Sequence, residues 1–261
     1  MRNQHGDFIW YELMTGDPQQ AKRFYDPVAG WTIADQPTGI SDIDYRMIDT
    51  GDGQVGGMLT LTRGMRDHGA KPAWLGYIGV DDVDATLVKI EAEAGKTLMP
   101  AHDTPGIGRI AMAADPQGNP FYVMRGSVDQ VSTSFAPEKA GHTAWNELVT
   151  SDLEAARFFY PAVFGWTLGE VMPMGEMNGV DMGDYQFIDH GGRMIGAMMK
   201  AAPGAPTGWG FAFHNTDIDG AVERIKSGSG TIRGGPLEVP GDQRALMASD
   251  PEGVPFMLVG K

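Results

Sequence analysis

The chain has 261 residues, no cysteine, and 34 acidic against 20 basic residues, for a net charge of −14. The missing cysteines exclude a disulfide framework and any thiolate or zinc–thiolate site, and the acidic balance argues against a nucleic-acid partner. No apolar run reaches the length of a membrane span and no signal peptide opens the chain, so a soluble cytoplasmic protein without membrane contact is expected.

The first apolar run ends at Thr15 and is followed by Asp17-Pro18. Asp accepts the orphan N–H groups of a first helical turn, and Pro suits the first helical position. Ala21, Phe24, Tyr25 and Val28 then recur at helical spacing, and Gly30 offers a left-handed C-cap. Short runs at Tyr45 to Ile48 and Gly56 to Leu61, separated by Gly and Asp, read as a strand meander. The same order begins again 65 residues later with Asp82, a helical face of Val83, Leu87 and Ile90, a closing Gly95, and a strand run from Ile110 to Ala113. Asp152 with Gly165, and Asp217 with Gly230, start and close two more copies. The unit is β-α-β-β-β, expected at roughly residues 7–62, 72–126, 142–200 and 207–260.

These four units form two larger repeats. Positions 12–32 and 147–167 share 11 of 21 residues at an offset of 135. Asp115-Pro116-x-Gly118-x-Pro120-Phe121 returns as Asp250-Pro251-x-Gly253-x-Pro255-Phe256, and Arg109 returns as Arg244. Asp44-Tyr45 matches Asp184-Tyr185 at an offset of 140, so the second half gains about five residues in the stretch Met172 to Gly183 and loses them before Trp209. Fixed-period self-similarity of this kind means a duplicated domain. The expected division is 1–127, a Ser/Thr/Asp/Pro-bearing linker at 128–141, and 142–261. The expected fold class is α+β: paired βαβββ modules, each pair forming an eight-stranded half-barrel.

The fourfold unit with Phe24-Tyr25…Gly30-Trp31, Phe159-Tyr160…Gly165-Trp166 and two Asp-Pro-x-Gly-x-Pro-Phe endings resembles the vicinal oxygen chelate superfamily. That superfamily includes glyoxalases, bleomycin-resistance proteins and extradiol dioxygenases. Within it, the chain looks most like two-domain actinobacterial proteins of glyoxalase-like or hydroxylase type. The resemblance implies a concave pocket in each half and, in metal-using members, His, His and Glu ligands on the first strand of each unit and on the last strand. Counted from the helix Asp and from Asp-Pro-x-Gly, those places fall on Trp10, Leu75 and Tyr122 in one half and Trp145, Gly210 and Met257 in the other. None is a usual ligand for a divalent transition metal. No cofactor is therefore expected, although a divalent metal held by an unusual set stays open.

Alternation along a strand puts Trp10 with Glu12, and Trp145 with Glu147, on one face. An indole wall beside a carboxyl suits general acid/base work at a raised pKa, and Glu12 and Glu147 are the catalytic candidates. The competing reading gives these carboxylates to solvent or to ion pairs with Arg109 and Arg244. Trp10, Tyr77, Tyr122, Trp145, His214 and Met257 are the substrate-binding candidates. Trp31 and Trp166 read as core, Trp74 and Trp209 as core or clamp, and the remaining histidines as surface residues. Three functions fit: a metal-independent lyase, isomerase or hydroxylase acting on an aromatic or carbonyl compound, a protein sequestering a planar or cationic molecule, and a glyoxalase-like metalloenzyme with unusual ligands. The partner in each is a small molecule, and the chain is a monomer or homodimer.

Overall fold

The computed structural model describes residues 2–40, 42–177 and 180–261. Each βαβββ module is present. The first runs β1 (Phe8–Thr15), α1 (Pro18–Tyr25), β2 (Thr32–Ile33), β3 (Tyr45–Asp49) and β4 (Gln54–Thr60), followed by a short helix α2 (Arg63–Asp67). The second runs β5 (Ala73–Gly79), α3 (Val83–Ala92), β6 (Lys96–Thr104), β7 (Gly108–Ala114) and β8 (Pro120–Gly126). The third has β9 (Thr143–Thr150), α4 (Leu153–Phe164), β10 (Thr167–Pro173), a small hairpin β11 (Glu176–Met177) and β12 (Val180–Asp181), then β13 (Asp184–His190) and β14 (Arg193–Lys200). The fourth has β15 (Gly208–Asn215), α5 (Ile218–Ser227), β16 (Thr231–Val239), β17 (Gln243–Ser249) and β18 (Pro255–Gly260).

Modules one and two supply one eight-stranded sheet, ordered β2-β3-β4-β1-β5-β8-β7-β6; modules three and four repeat that order as β10-β13-β14-β9-β15-β18-β17-β16. The five-residue gain in the second half lengthens β10 and adds the hairpin β11–β12; Asn178 and Gly179 within it lie outside the described residues. The compensating loss removes the turn of helix that α2 provides in the first half.

Each long helix starts where the Asp predicts. The carboxylates of Asp17, Asp82, Asp152 and Asp217 accept first-turn N–H groups of α1, α3, α4 and α5. The ends differ from expectation in two of four cases; Gly30 takes the left-handed conformation at φ 73° as expected. Gly165 caps α4 at φ 71° as predicted, but Ala94 and Ser229 take the left-handed place after α3 and α5, at φ 64° and 67°. Gly95 and Gly230 follow for a steric reason. A Cβ on Gly95 would lie 2.6 Å from Ile90 Cγ2 and 2.7 Å from the Ala114 carbonyl, and one on Gly230 would lie 2.6 Å from Phe24. After α1, Pro27 cannot donate to an α-helical ladder; residues Asp26–Gly30 widen into a π turn closed by Trp31 N–H to the Asp26 carbonyl.

Compactness cuts across the repeat. One compact unit joins Met1–Ile9, Gly76–Ser132 and Asn146–Trp209; the other joins Trp10–Leu75, Thr133–Trp145 and Gly210–Lys261. In the second unit Tyr25 donates to Asp250 at 3.2 Å and accepts from Trp74 Nε1 at 3.0 Å. In the first, Tyr160 donates to Asp115 and accepts from Trp209 Nε1, both at 3.0 Å. Both tyrosines are fully buried, so Trp74 and Trp209 are core residues whose polar tips are satisfied by a tyrosine.

Candidate functional site

Strand register sorts the side chains into two faces. On β1, Tyr11 and Leu13 are buried in the core, so alternation carries Trp10, Glu12 and Met14 to the other face. There Glu12 stands in a lateral row with Gly57 of β4 and Met47 of β3, and Met14 in the next row with Leu59 and Tyr45. Glu12 is only 1% exposed. Trp10 is half-buried, and its Nε1 donates to Tyr45 Oη at 2.8 Å. Tyr45 reaches that position only because Gly57 has no side chain: a Cβ there would sit 2.1 Å from the Tyr45 hydroxyl.

The other unit repeats the arrangement around Glu147. Leu148 and Met198 are buried in the core; Glu147 faces away with Ala197 of β14 and Phe187 of β13 in its row, and Val149, Met199 and Tyr185 in the next. Tyr185 Oη donates to Glu147 Oε2 at 2.7 Å. Burial pushes the Glu147 carboxyl up, and the Tyr185 hydroxyl pulls it part of the way back. Trp145, two residues earlier on β9, is half-buried and belongs to the compact unit that holds Glu12.

The remaining candidates lie on the central strands β5, β8, β15 and β18. Tyr77 and Tyr122 are register partners on β5 and β8, buried, and stacked at 4.2 Å with 20° between planes. Met112 and Met99 continue their row. In the other unit Met257 pairs with Ala212 and Met247, while His214 pairs with Val259. Burial lowers the His214 pKa, Glu138 opposes that shift, and Nδ1 is enclosed without a hydrogen-bond partner among the described residues.

Two expectations are corrected. Arg109 does not serve Glu12, nor Arg244 Glu147: Arg109 grips Asp84 and Asp103, and Arg244 grips Asp219. Those aspartates lie close to the arginines' own strands, Asp84 and Asp219 on the module's own helix, which makes them the nearer charge. His142 is not a surface residue. It is fully buried, with Nδ1 2.6 Å from the Thr133 carbonyl and Nε2 2.9 Å from Asp52 Oδ1. Tyr45 and Tyr185 were not foreseen as site residues, although their shared offset within the repeat was a usable signal.

The donor set does not fit a divalent metal. At the places expected for metal ligands stand Trp10, Leu75 and Tyr122, on β1, β5 and β8, and Trp145, Gly210 and Met257, on β9, β15 and β18, and they offer indole, alkyl, phenol, backbone or thioether. Among the described residues no cluster of three or more His, Asp or Glu is placed to hold an ion.

Two βαβββ pairs, each forming an eight-stranded sheet, are the architecture of the vicinal oxygen chelate class. Residues 8–123 and 139–258 match the model of the Glyoxalase/Bleomycin resistance protein/Dioxygenase superfamily, and the chain belongs to that superfamily. It is 29% identical to CFP32 of Mycobacterium tuberculosis (strain CDC 1551 / Oshkosh), which carries a provisional glyoxylase name, over 96% of this chain and 93% of that protein. It is equally 29% identical to the anthracycline biosynthesis protein DnrV of Streptomyces peucetius, over 96% and 91%. The fold is similar to that of the Mn(II)-bound glyoxalase from Novosphingobium aromaticivorans, with TM-score 0.64 and 16% identity over 99% of this chain and 82% of the other.

Proposed function

We propose that this protein is an enzyme of small-molecule metabolism in which Glu12 and Glu147, not a metal, perform the proton transfers of a lyase-, isomerase- or hydroxylase-type reaction. The observation that carries this reading is the pair of carboxyls on equivalent first strands, Glu12 buried and Glu147 half-buried, the latter pushed up in pKa by desolvation. A carboxyl held in that way can protonate a carbonyl oxygen or take a proton from the adjacent carbon. Trp10 and Trp145 would supply the wall for a planar substrate, with Tyr77, Tyr122, His214 and Met257 completing the contacts. The relatives' names favour two substrate classes, α-oxoaldehydes for a glyoxylase and polycyclic aromatic ketones for anthracycline biosynthesis. We read the protein as cytoplasmic, and as a monomer or homodimer.

The test screens phenylglyoxal and a hydroxyanthraquinone for binding by tryptophan fluorescence and for turnover after treatment with a chelator. Glu12→Gln and Glu147→Gln should cost about 10²-fold or more in kcat with little change in Kd. Turnover that vanishes on chelation, or that survives both substitutions together, would sink the reading. A second function is kept by one observation: the Trp10 indole tied to Tyr45, with Glu12 two residues further along the same strand, is also a suitable grip for a planar cation. Tight binding of such a compound without turnover would favour a sequestering protein.

A further inference from the structure

We propose that Tyr45 and Tyr185 are positioning residues of the two sites: one tyrosine hydroxyl fixes the Trp10 indole, and its counterpart fixes the Glu147 carboxyl. The consequence for turnover rests on the function proposed above; the geometry does not.

The two tyrosines hold the same place. Tyr45 pairs with Leu59 and Tyr185 with Met199, each one row from the carboxyl's row. Each hydroxyl reaches across an intervening strand, Tyr45 over β4 to Trp10 of β1 and Tyr185 over β14 to Glu147 of β9. Tyr185 Oη meets Glu147 Oε2 at 2.7 Å, while the other carboxyl oxygen, Oε1, accepts no hydrogen bond among the described residues. One oxygen is thereby anchored and the other is left for a bound molecule. Burial and this hydroxyl are what act on the carboxyl; Ala197 and Phe187, its row partners on β14 and β13, carry no charge.

Around Trp10 the support comes from an omission. Gly57 sits inside β4, where glycine weakens a strand relative to alanine, and Ala197 at the matching place shows that this strand position accepts a methyl group. At Gly57 the methyl would meet Tyr45 Oη at 2.1 Å and Cζ at 2.3 Å. The bare backbone therefore keeps Tyr45 laid across β4, with its hydroxyl on the indole. A tyrosine that served only to cover the sheet would not need that space.

Tyr45→Phe, Gly57→Ala and Tyr185→Phe in the full chain test the proposal. The Trp10 indole N–H resonance, assigned with Trp10→Phe, should shift and exchange faster with solvent in both Tyr45→Phe and Gly57→Ala. The Glu147 carboxyl ¹³C resonance, assigned with Glu147→Gln, should titrate at higher pH in Tyr185→Phe. With phenylglyoxal or a hydroxyanthraquinone as probe, whichever the wild type takes, affinity or kcat should fall roughly tenfold or more while thermal unfolding changes little. Unmoved resonances would overturn the proposal, and so would tyrosine variants that handle the probe within about twofold of wild type. If the Glu→Gln variants turn over normally, the proposed chemistry fails, and the two resonances still decide the tyrosines. A wild type that takes neither probe likewise leaves the decision with the resonances.

Discussion

At Glu147 stability and function pull in opposite directions. Burial raises its pKa above the ordinary 4.5 of an unfolded glutamate, so the folded state resists its ionisation. Stability is therefore fullest below that unfolded value and is lost as pH rises through the folded pKa. Glu147→Gln removes the penalty. Its urea midpoint should equal that of wild type at acid pH and exceed it at neutral pH, even as turnover is lost; a variant less stable at both would contradict the burial argument. The buried hydroxyls behave differently. Tyr160→Phe leaves Trp209 Nε1 enclosed without its acceptor, and Tyr25→Phe does the same to Trp74. Each should cost about 1–3 kcal/mol, read from denaturant unfolding. That each indole and carboxyl share a strand face was legible in sequence, because alternation within one strand fixes it. Their tyrosines were not, since Trp10 and Tyr45 are 35 residues apart and meet only through the sheet order.

Helix starts were legible for a local reason and helix ends less so. An N-cap requires only that a short acceptor precede the helix, and all four Asp residues supply one. A C-cap depends on what the next strand allows. Gly95 stands where a side chain would strike Ile90 and the Ala114 carbonyl, so the left-handed residue falls one position earlier, on Ala94. That shift leaves a correctable strain. An L-residue in the left-handed region costs roughly 1–2 kcal/mol, partly offset by the extra freedom glycine brings to the unfolded chain. Ala94→Gly and Ser229→Gly should each stabilise by about 0.5–1 kcal/mol on that balance, whereas Gly95→Ala should destabilise. Equal losses from Ala94→Gly and Gly95→Ala in thermal unfolding would show that the cap geometry is misassigned.

For the molecule as a whole, duplication made the fold readable and the pairing of its parts unreadable. Both halves contain the helix tyrosine, the Asp-Pro-x-Gly aspartate and the Gly-Trp indole, so the sequence offers equal partners within a half and across halves. The structure takes the crossed choice each time: Tyr25 with Asp250, Tyr160 with Asp115, Trp31 Nε1 with the Gly141 carbonyl and Trp166 Nε1 with the Gly6 carbonyl. Each compact unit is accordingly built from both halves of the chain. Residues 1–127 alone keep Tyr25 and Trp31 but lose Asp250 and Gly141, leaving buried donors without acceptors at a cost of about 1–3 kcal/mol each, along with the apolar contacts around them. A net stability of only about 5–15 kcal/mol cannot absorb that. The fragment should therefore be unfolded, or should recover the lost contacts by self-association, with a second copy's Asp115 and Gly6 standing in for Asp250 and Gly141. Mixed with residues 128–261, it should form a one-to-one complex with restored thermal stability. Analytical ultracentrifugation and circular dichroism of the fragment and the mixture measure this directly, and a folded, monomeric 1–127 at micromolar concentration would show that the crossed contacts are dispensable.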